Sequence, residues 1–262
     1  MRAGLRIAKR DSLSLGIQHV TRQVDSFLAE IHAEQRADRI QSLPVDFART
    51  RRYHAETKDR RFGRINRRIF RVNKAQTLLY SDFNCPFCYA MHERLHELNL
   101  ISRCEWRGVQ HASHLPRPMK PWQGMLGAEL RHEVTVVQRL APGLPISLPP
   151  GKPNTRLAIE QAVALIRRDR AQGMAFVRGI YPAFWCEGRD ISDPVVLREL
   201  AEQAGASGES VATIDDESRR MAQEWESAWH RTGQAGVPLL VSPEGELLVG
   251  CVPLQQVKQF FA

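Results

Sequence analysis

Two cysteines separated by two residues are the feature of the sequence that most clearly carries chemistry. Cys85 and Cys88 flank Pro86 and Phe87. Thiol-disulfide exchange needs one thiolate to attack a substrate disulfide and a second thiol to resolve the mixed disulfide that results. A two-residue spacer keeps both sulfurs within one turn of a helix. We therefore predict a redox-active dithiol in which Cys85 is the nucleophile and Cys88 is the resolving thiol.

The same spacing also occurs in half of a zinc site, and two such cysteines can simply be core residues. A zinc ribbon needs a second Cys-x-x-Cys pair, and the sequence does not contain one. The spacing alone leaves these alternatives open. Because the second pair is missing, we predict no metal ligand at this position.

A strand and a helix must hold the dithiol in place. Residues 75–83 have the composition of a β-strand, and Pro86 falls at the first position of a following helix, where its missing N–H is tolerated. Asn84 is expected to cap this helix. The free N–H groups and the partial positive charge at a helix N-terminus favour the thiolate form of Cys85. A second strand at 104–110 would complete the start of a βαβ unit.

The sequence divides into four segments. Residues 1–74 are predicted to form an amphipathic helix and a basic extension, and residues 75–121 the first part of an α/β domain. Helical patterns dominate residues 122–232, which we interpret as a helical insertion. Residues 233–262 have the pattern of a β-hairpin followed by a short terminal helix, and they would complete the α/β domain.

Two segments resemble the DsbA-like thioredoxin-fold proteins. The segment Ser-Asp-Phe-Asn-Cys-Pro-Phe-Cys-Tyr-Ala at residues 81–90 is similar to their active-site segment, and Gly236, Val237 and Pro238 are similar to their cis-proline loop. The resemblance implies a thioredoxin-like fold with an inserted helical domain. It also implies that this loop faces the dithiol and binds substrate through its backbone.

The predicted insertion resembles a more specific branch. Residues 154–158 and 187–194 are similar to the helical domain shared by cytosolic DsbA-like proteins, hydroxychromene-carboxylate isomerases and kappa-class glutathione transferases. The last two groups carry Ser in place of the first cysteine. Because this chain has Cys85 and Cys88, the resemblance favours a thiol-disulfide oxidoreductase over a glutathione-dependent isomerase or transferase. It implies protein, peptide or glutathione thiols and disulfides as partners, with no tightly bound cofactor and glutathione as a candidate co-substrate.

The first 74 residues carry two further signals. Apolar residues between Leu13 and Ile31 recur at spacings of three and four, which predicts an amphipathic helix that docks on the core or pairs in a homodimer. Between Arg49 and Lys74 there are eleven Lys or Arg against two acidic residues, a charge that suits nucleic acid, an anionic membrane or a partner protein. A non-catalytic thioredoxin-like scaffold with this basic recruiting arm is therefore an alternative function.

A second motif, His92-Glu93-Arg94-Leu95-His96, matches the H-E-x-x-H pattern of zinc hydrolases. The downstream histidine patterns that supply a third ligand are missing from the sequence. On a helix the two histidines lie about 120° from the apolar stripe of Phe87, Met91, Leu95 and Leu98, so both are expected to face solvent. A zinc hydrolase is the least favoured alternative.

Composition points to a cytoplasmic protein. Five cysteines do not suit a disulfide-stapled secreted domain, and the sequence contains no apolar run of about 18 residues and no recognisable signal peptide. Cys104, Cys186 and Cys251 are expected to be small buried residues, with a regulatory disulfide to the dithiol as the alternative. Trp225 and Trp229, at helical spacing, are expected in the core.

Overall fold

The computed structural model describes residues 76–122, 125–208 and 213–262. The predictions for the amphipathic helix between Leu13 and Ile31 and for the basic segment between Arg49 and Lys74 lie outside these residues. Within the described ranges, no helix combines the length and the apolar character needed to cross a bilayer.

A mixed four-stranded sheet forms the centre of the described chain. The strands are β1 (Thr77–Ser81), β2 (Cys104–Gly108), β3 (Leu239–Val241) and β4 (Leu247–Val249), in the order β2-β1-β3-β4. Strands β1 and β2 are parallel, whereas β3 is antiparallel to both of its neighbours. The sequence predicted these strands and the terminal hairpin, although each strand is shorter than its apolar pattern. The hairpin turn places Gly245 at φ 92°, a conformation that favours glycine.

Helix α1 (Pro86–Glu97) connects β1 to β2 and carries the dithiol. Met91 and Leu95 of its apolar stripe are fully buried against the core, as the helical spacing predicted. The helix ends at Leu98, and Asn99 follows with φ 57°, the left-handed conformation that often terminates helices. This short crossover places the start of α1 at the carboxyl end of β1.

Helices account for most of the chain between β2 and β3. In the described residues they are α2 (Leu126–Leu140), α3 (Arg156–Arg168), α4 (Arg170–Trp185), α5 (Pro194–Gln203) and α6 (Asp216–Arg231). Asp193 caps α5, and its side chain accepts a hydrogen bond from the N–H of Val195. After β4 the chain forms α7 (Leu254–Phe260).

The sheet is covered on both faces. One face joins a large core that includes Phe83, Trp106 and Trp225 together with the buried sides of α1, α3 and α4. The other face carries a smaller cluster in which Trp229 of α6 packs with Tyr80 and neighbouring strand residues. The prediction that both tryptophans at helical spacing belong to the core is therefore confirmed.

The three cysteines outside the dithiol do not share one environment. Cys104 and Cys251 are buried, as predicted, but Cys186 is exposed and that prediction was wrong. Cys186 is the residue directly after the last turn of α4, where the chain leaves the core, and its thiol donates to the carbonyl of Pro145 at 2.9 Å. All five cysteines of the chain are free thiols.

Candidate active site

The predicted dithiol lies at the N-terminus of α1. Cys85 is the N-cap residue, with extended backbone angles, and Pro86 occupies the first helical turn. The carbonyl of Cys85 accepts hydrogen bonds from the N–H groups of Cys88 (3.1 Å) and Tyr89 (3.3 Å). Phe87, the other spacer residue, is half-buried and packs against the core. The thiols are nearly enclosed, since Cys85 is 6% exposed and Cys88 1% exposed.

The loop before β3 lies against the first of these thiols. The Sγ of Cys85 is 3.5 Å from the carbonyl oxygen of Val237, 152 residues further along the chain. The peptide bond between Val237 and Pro238 is cis, and Pro238 is buried. Gly236 accepts a hydrogen bond from the indole N–H of Trp229 at 3.4 Å, which ties the loop to α6. The structure thus brings together the residues that the sequence selected as nucleophile and substrate loop.

The two thiols differ in their surroundings. Burial, followed by the neighbouring Cys85 thiol, raises the pKa of Cys88 well above its ordinary value. The side chain of Ser81 and the N–H of Asp82, which donates to the Cys88 sulfur at 3.4 Å, act in the opposite direction. At neutral pH Cys88 is therefore a protonated thiol whose sulfur accepts a hydrogen bond from the backbone.

Ser81 belongs to a buried hydroxyl pair that the sequence did not reveal. The Oγ of Ser81 lies 2.7 Å from the hydroxyl oxygen of Tyr181, and both residues are fully buried. Burial, and to a lesser extent the proximity of Cys88, raises the pKa of Tyr181 well above its ordinary value, so this phenol stays protonated. Because the two residues are 100 positions apart, no local pattern could have joined them.

Asp82 forms a second polar group beside the dithiol. Its fully buried carboxylate accepts hydrogen bonds at Oδ2 from the backbone N–H of His111 (2.9 Å) and from its Nδ1 (2.7 Å). The other oxygen, Oδ1, has no hydrogen-bond partner among the described residues. The Nε2 of His111 is 3.5 Å from the ammonium group of Lys152. An acid placed three residues before Cys85 could have been noticed in the sequence, but its partner could not.

The predicted role of Asn84 as a helix cap was wrong. Cys85 itself occupies the cap position, and no side chain caps α1. Asn84 is fully buried, and its Nδ2 donates to the carbonyl of Pro153 at 2.8 Å. Its amide fastens the loop before the dithiol to the segment that leads into α3, and this leaves the N–H groups at the start of α1 without a side-chain acceptor.

The prediction that His92 and His96 face solvent was wrong for His92, whereas His96 is half-buried. His92 is fully buried because α4 covers that side of α1, with the ring of Tyr181 centred 5.0 Å from the imidazole. The Nε2 atoms of both histidines are buried without a hydrogen-bond partner among the described residues. Burial lowers the pKa of His92, and burial together with the neighbouring His92 and Arg178 lowers that of His96 to about 4.

The carboxylate within this motif has a structural partner. The guanidinium of Arg178 on α4 donates to both oxygens of Glu93, at 2.9 Å and 3.2 Å. Although burial alone would raise the pKa of Glu93, hydrogen bonds from His92 and Arg178 bring it down to about 2. No group of three or more His, Cys, Asp or Glu side chains in the described ranges is arranged to hold a metal ion. In this structure the motif joins α1 to α4.

Comparisons with known proteins agree with this architecture. Residues 77–262 match the family model of the DSBA-like thioredoxin domain. A probable DsbA oxidoreductase from Streptomyces coelicolor has a similar structure, with 20% identity and a TM-score of 0.59 over 71% of this chain and 87% of that chain. So does 2-hydroxychromene-2-carboxylate isomerase, with 20% identity and a TM-score of 0.57 over 71% and 93%.

A third similar structure is the cytosolic disulfide reductase DsbM from Pseudomonas aeruginosa, determined with GSH. It shares 18% identity with this chain and has a TM-score of 0.55 over 71% of this chain and 98% of that chain. At these identities the three structures establish the fold alone. Together with the family match they confirm the predicted thioredoxin-like α/β fold. No curated protein matches the sequence.

Proposed function

Because the chain belongs to the DSBA-like thioredoxin domain family, we propose that it is a thiol-disulfide oxidoreductase whose redox centre is the dithiol of Cys85 and Cys88. The observation that carries this proposal is the placement of two free thiols one helical turn apart at the start of α1, with the Cys85 sulfur 3.5 Å from the Val237 carbonyl. A buried pair of unrelated core thiols would have no reason to lie against the loop that we assign to substrate binding.

The two thiols have different roles in this proposal. The thiolate of Cys85 attacks a substrate disulfide, so that a mixed disulfide forms and the first substrate thiolate leaves. Cys88 then loses its proton and attacks the Cys85 sulfur. The bond between Cys85 and the substrate breaks, the Cys85–Cys88 disulfide forms, and the second substrate thiolate leaves and takes up a proton. The reverse sequence transfers a disulfide to a substrate dithiol.

Cys85 is assigned as the nucleophile because of its position. It is the more exposed of the two thiols, and as the N-cap residue of α1 it lies against the Val237 carbonyl. Cys88 is enclosed, and its raised pKa keeps it protonated until the mixed disulfide is formed. Because of this difference, Cys85 attacks first and Cys88 reacts only after the mixed disulfide has formed.

Glutathione is our candidate co-substrate, and protein, peptide or glutathione disulfides are the candidate substrates. The likeness to a disulfide reductase that was determined with GSH motivates this choice. We place the activity in the cytoplasm, on the composition of the sequence. Glutathione there would reduce the Cys85–Cys88 disulfide by two successive exchanges and would itself leave as glutathione disulfide.

A redox titration of the full-length chain tests the proposed function. The protein is equilibrated in glutathione buffers of graded potential, trapped with an alkylating reagent, and examined by intact-mass and peptide mass spectrometry. We expect a reversible disulfide between Cys85 and Cys88. Cys88→Ala should instead accumulate a glutathione adduct on Cys85, whereas Cys186→Ala, which removes the exposed cysteine outside the dithiol, should titrate like the wild type.

Two outcomes would overturn the proposal. The first is the absence of a disulfide between Cys85 and Cys88 at every potential. The second is a Cys85→Ser variant that retains a glutathione-dependent isomerase activity of the wild-type chain, because an isomerase of this fold does not need the first thiol.

A further inference from the structure

Arg94 is a buried cation that the proposed mechanism does not use. It lies in the last turn of α1, within the His-Glu-Arg-Leu-His motif, and only 8% of the residue is exposed. A buried charge is costly unless fixed hydrogen-bond partners surround it. The hydrogen-bond partners that the described residues supply are neutral groups, two of them backbone carbonyls. The contacts of this guanidinium therefore depend on where the neighbouring backbone lies.

The guanidinium joins α1 to two segments that are distant in the sequence. Its Nη1 donates to the carbonyl of Val252 and lies 3.3 Å from the sulfur of Cys251, both in the segment between β4 and α7. Its Nη2 donates at 2.7 Å to the carbonyl of Leu140, the last residue of α2. The final carbonyls of a helix lack partners within the helix and carry a partial negative charge, so they suit a guanidinium. The planar fork of arginine holds both segments at once.

The segment after β4 is also bonded to the loop beside the dithiol. The N–H of Gly250, the residue directly before Cys251, donates to the carbonyl of Pro238 at 2.8 Å. Pro238 follows Val237, whose carbonyl oxygen lies 3.5 Å from the Cys85 sulfur. Helix α1 therefore contacts this part of the chain twice, once at its N-cap and once in its last turn.

We propose that Arg94 is a positioning residue that holds the loop of residues 236–238 at the correct distance from the Cys85 sulfur. This inference rests on the proposed function and adds to it a residue that controls how substrate is presented. Arg94 holds the segment after β4 against α1, and the hydrogen bond from Gly250 to Pro238 transmits this position to the loop. Arg94 contacts none of the reacting atoms.

The step concerned is the first exchange. The Cys85 thiolate attacks one sulfur of the substrate, so that a bond between Cys85 and the substrate forms, the substrate disulfide breaks, and its second sulfur leaves as a thiolate. A substrate whose backbone is bound by the loop reacts only if its sulfur then lies in line with that of Cys85. Misplacement by about 1 Å slows such a reaction by up to about 100-fold. A small disulfide that does not use the loop escapes this restriction.

Two disulfides of different structure separate positioning from reactivity. Glutathione disulfide carries peptide groups that can pair with the loop, whereas bis(2-hydroxyethyl) disulfide has none. Both are reacted with a full-length parent chain carrying Cys88→Ala, so that the mixed disulfide on Cys85 accumulates, and Cys186→Ala, which removes the exposed thiol. Acid quenching and intact-mass spectrometry then give one rate constant for each disulfide.

Arg94→Met keeps the apolar stem of the side chain and removes its donors. We expect the rate constant with glutathione disulfide to fall about tenfold, while that with bis(2-hydroxyethyl) disulfide stays unchanged. Arg94→Lys keeps the charge but cannot hold Val252 and Leu140 together, so its rate constant with glutathione disulfide should fall about threefold. This intermediate value distinguishes positioning from a simple attraction of the anionic glutathione disulfide, which the charge of a lysine would fully restore.

Arg107 provides a matched control because it is another buried arginine, 6% exposed. It lies on β2, at the opposite edge of the sheet from β4, and its guanidinium donates to Glu105 at 2.9 Å and to the hydroxyl of Tyr80 at 3.3 Å. Arg107→Met should lower the unfolding free energy, measured by urea titration, and keep both rate constants. If Arg94→Met does not fold, Arg94→Lys decides the test.

Three results would overturn the inference: folded Arg94 variants that react with glutathione disulfide at the parent rate, an equal slowing with both disulfides, or an Arg94→Lys variant that matches the parent. Failure of the proposed function is distinguishable. In that case the parent chain would form no mixed disulfide on Cys85 with either compound, and the wild-type chain would form no Cys85–Cys88 disulfide.

Discussion

Mild acid should destabilise this protein through the two histidines of α1. His92 is fully buried, and its burial lowers its pKa from the ordinary value of 6.5; His96 is lowered from the same value to about 4. A histidine with a depressed pKa binds a proton more readily in the unfolded chain than in the folded one. Its contribution to stability is therefore complete above about pH 6.5 and is lost as the pH falls below that value.

The size of the effect follows from the shift of His96. A fall in its pKa from 6.5 to about 4 corresponds to a loss of about 2 kcal/mol of unfolding free energy between pH 7 and pH 5. Because His96 is partly exposed, solvent screening reduces this figure to about 1 kcal/mol. His92 adds to the loss in the same direction. The pKa of Glu93 is lowered to about 2, so its contribution to the unfolding free energy is lost only below its ordinary pKa of 4.5, outside the range from pH 7 to pH 5.

Urea unfolding followed by tryptophan fluorescence at pH 7, 6 and 5 measures this dependence. We expect the wild-type unfolding free energy to fall by at least about 1 kcal/mol across this range, and His96→Gln to flatten the slope. His132→Gln replaces an exposed histidine of α2 and serves as the control that keeps the wild-type slope. A slope in His96→Gln equal to that of the wild type would refute the argument that its burial matters.

Two further predictions test packing and thiol accessibility. Gly173→Ala should lower the unfolding free energy by about 3 kcal/mol, because the new Cβ would lie 2.4 Å from a backbone nitrogen of α3. Gly179→Ala, also on α4, places its Cβ with no atom within 4 Å and should stabilise the protein slightly. Urea titration of both variants measures the difference. Iodoacetamide should alkylate the exposed Cys186 of the folded protein rapidly. Cys104 and Cys251 should react only after unfolding, because burial raises the pKa of Cys104 to about 12 and that of Cys251 to about 11. Labelling of either buried thiol as fast as Cys186 would contradict this prediction.

The sequence predicted those parts of the site that contiguous residues encode. The cysteine spacing and Pro86 identified the start of α1, and the apolar pattern before them identified β1. The loop at Val237 was found because its residues resemble a known motif, not because any periodicity placed it beside Cys85. The distance of 3.5 Å between the Cys85 sulfur and the Val237 carbonyl is a property of the sheet, in which β3 pairs with β1.

The predictions that failed share one physical cause. His92 was expected in solvent because helical geometry gives the angle between two faces of a helix but does not say how many faces are covered. Helix α1 packs on the sheet with its apolar stripe and on α4 with the side that carries His92. Asn84 failed as a cap for a related reason, since its amide found the carbonyl of Pro153, 69 residues away. In both cases a contact with a residue distant in the sequence outweighed the local preference.

This dependence on distant partners limits what the Cys-Pro-Phe-Cys motif can determine by itself. The spacer fixes the separation of the two thiols, but the hydrogen bond at the Cys88 sulfur comes from the N–H of Asp82, outside the motif. The neighbouring Ser81 pairs with Tyr181 on α4, and His92 of α1 packs on the same ring. Exchanging only Pro86 and Phe87 would therefore leave these contacts unchanged, whereas a shift of α4 relative to α1 would change those of Tyr181 without altering the motif. The surroundings of the two thiols are set as much by the packing of these two helices as by the residues between the cysteines.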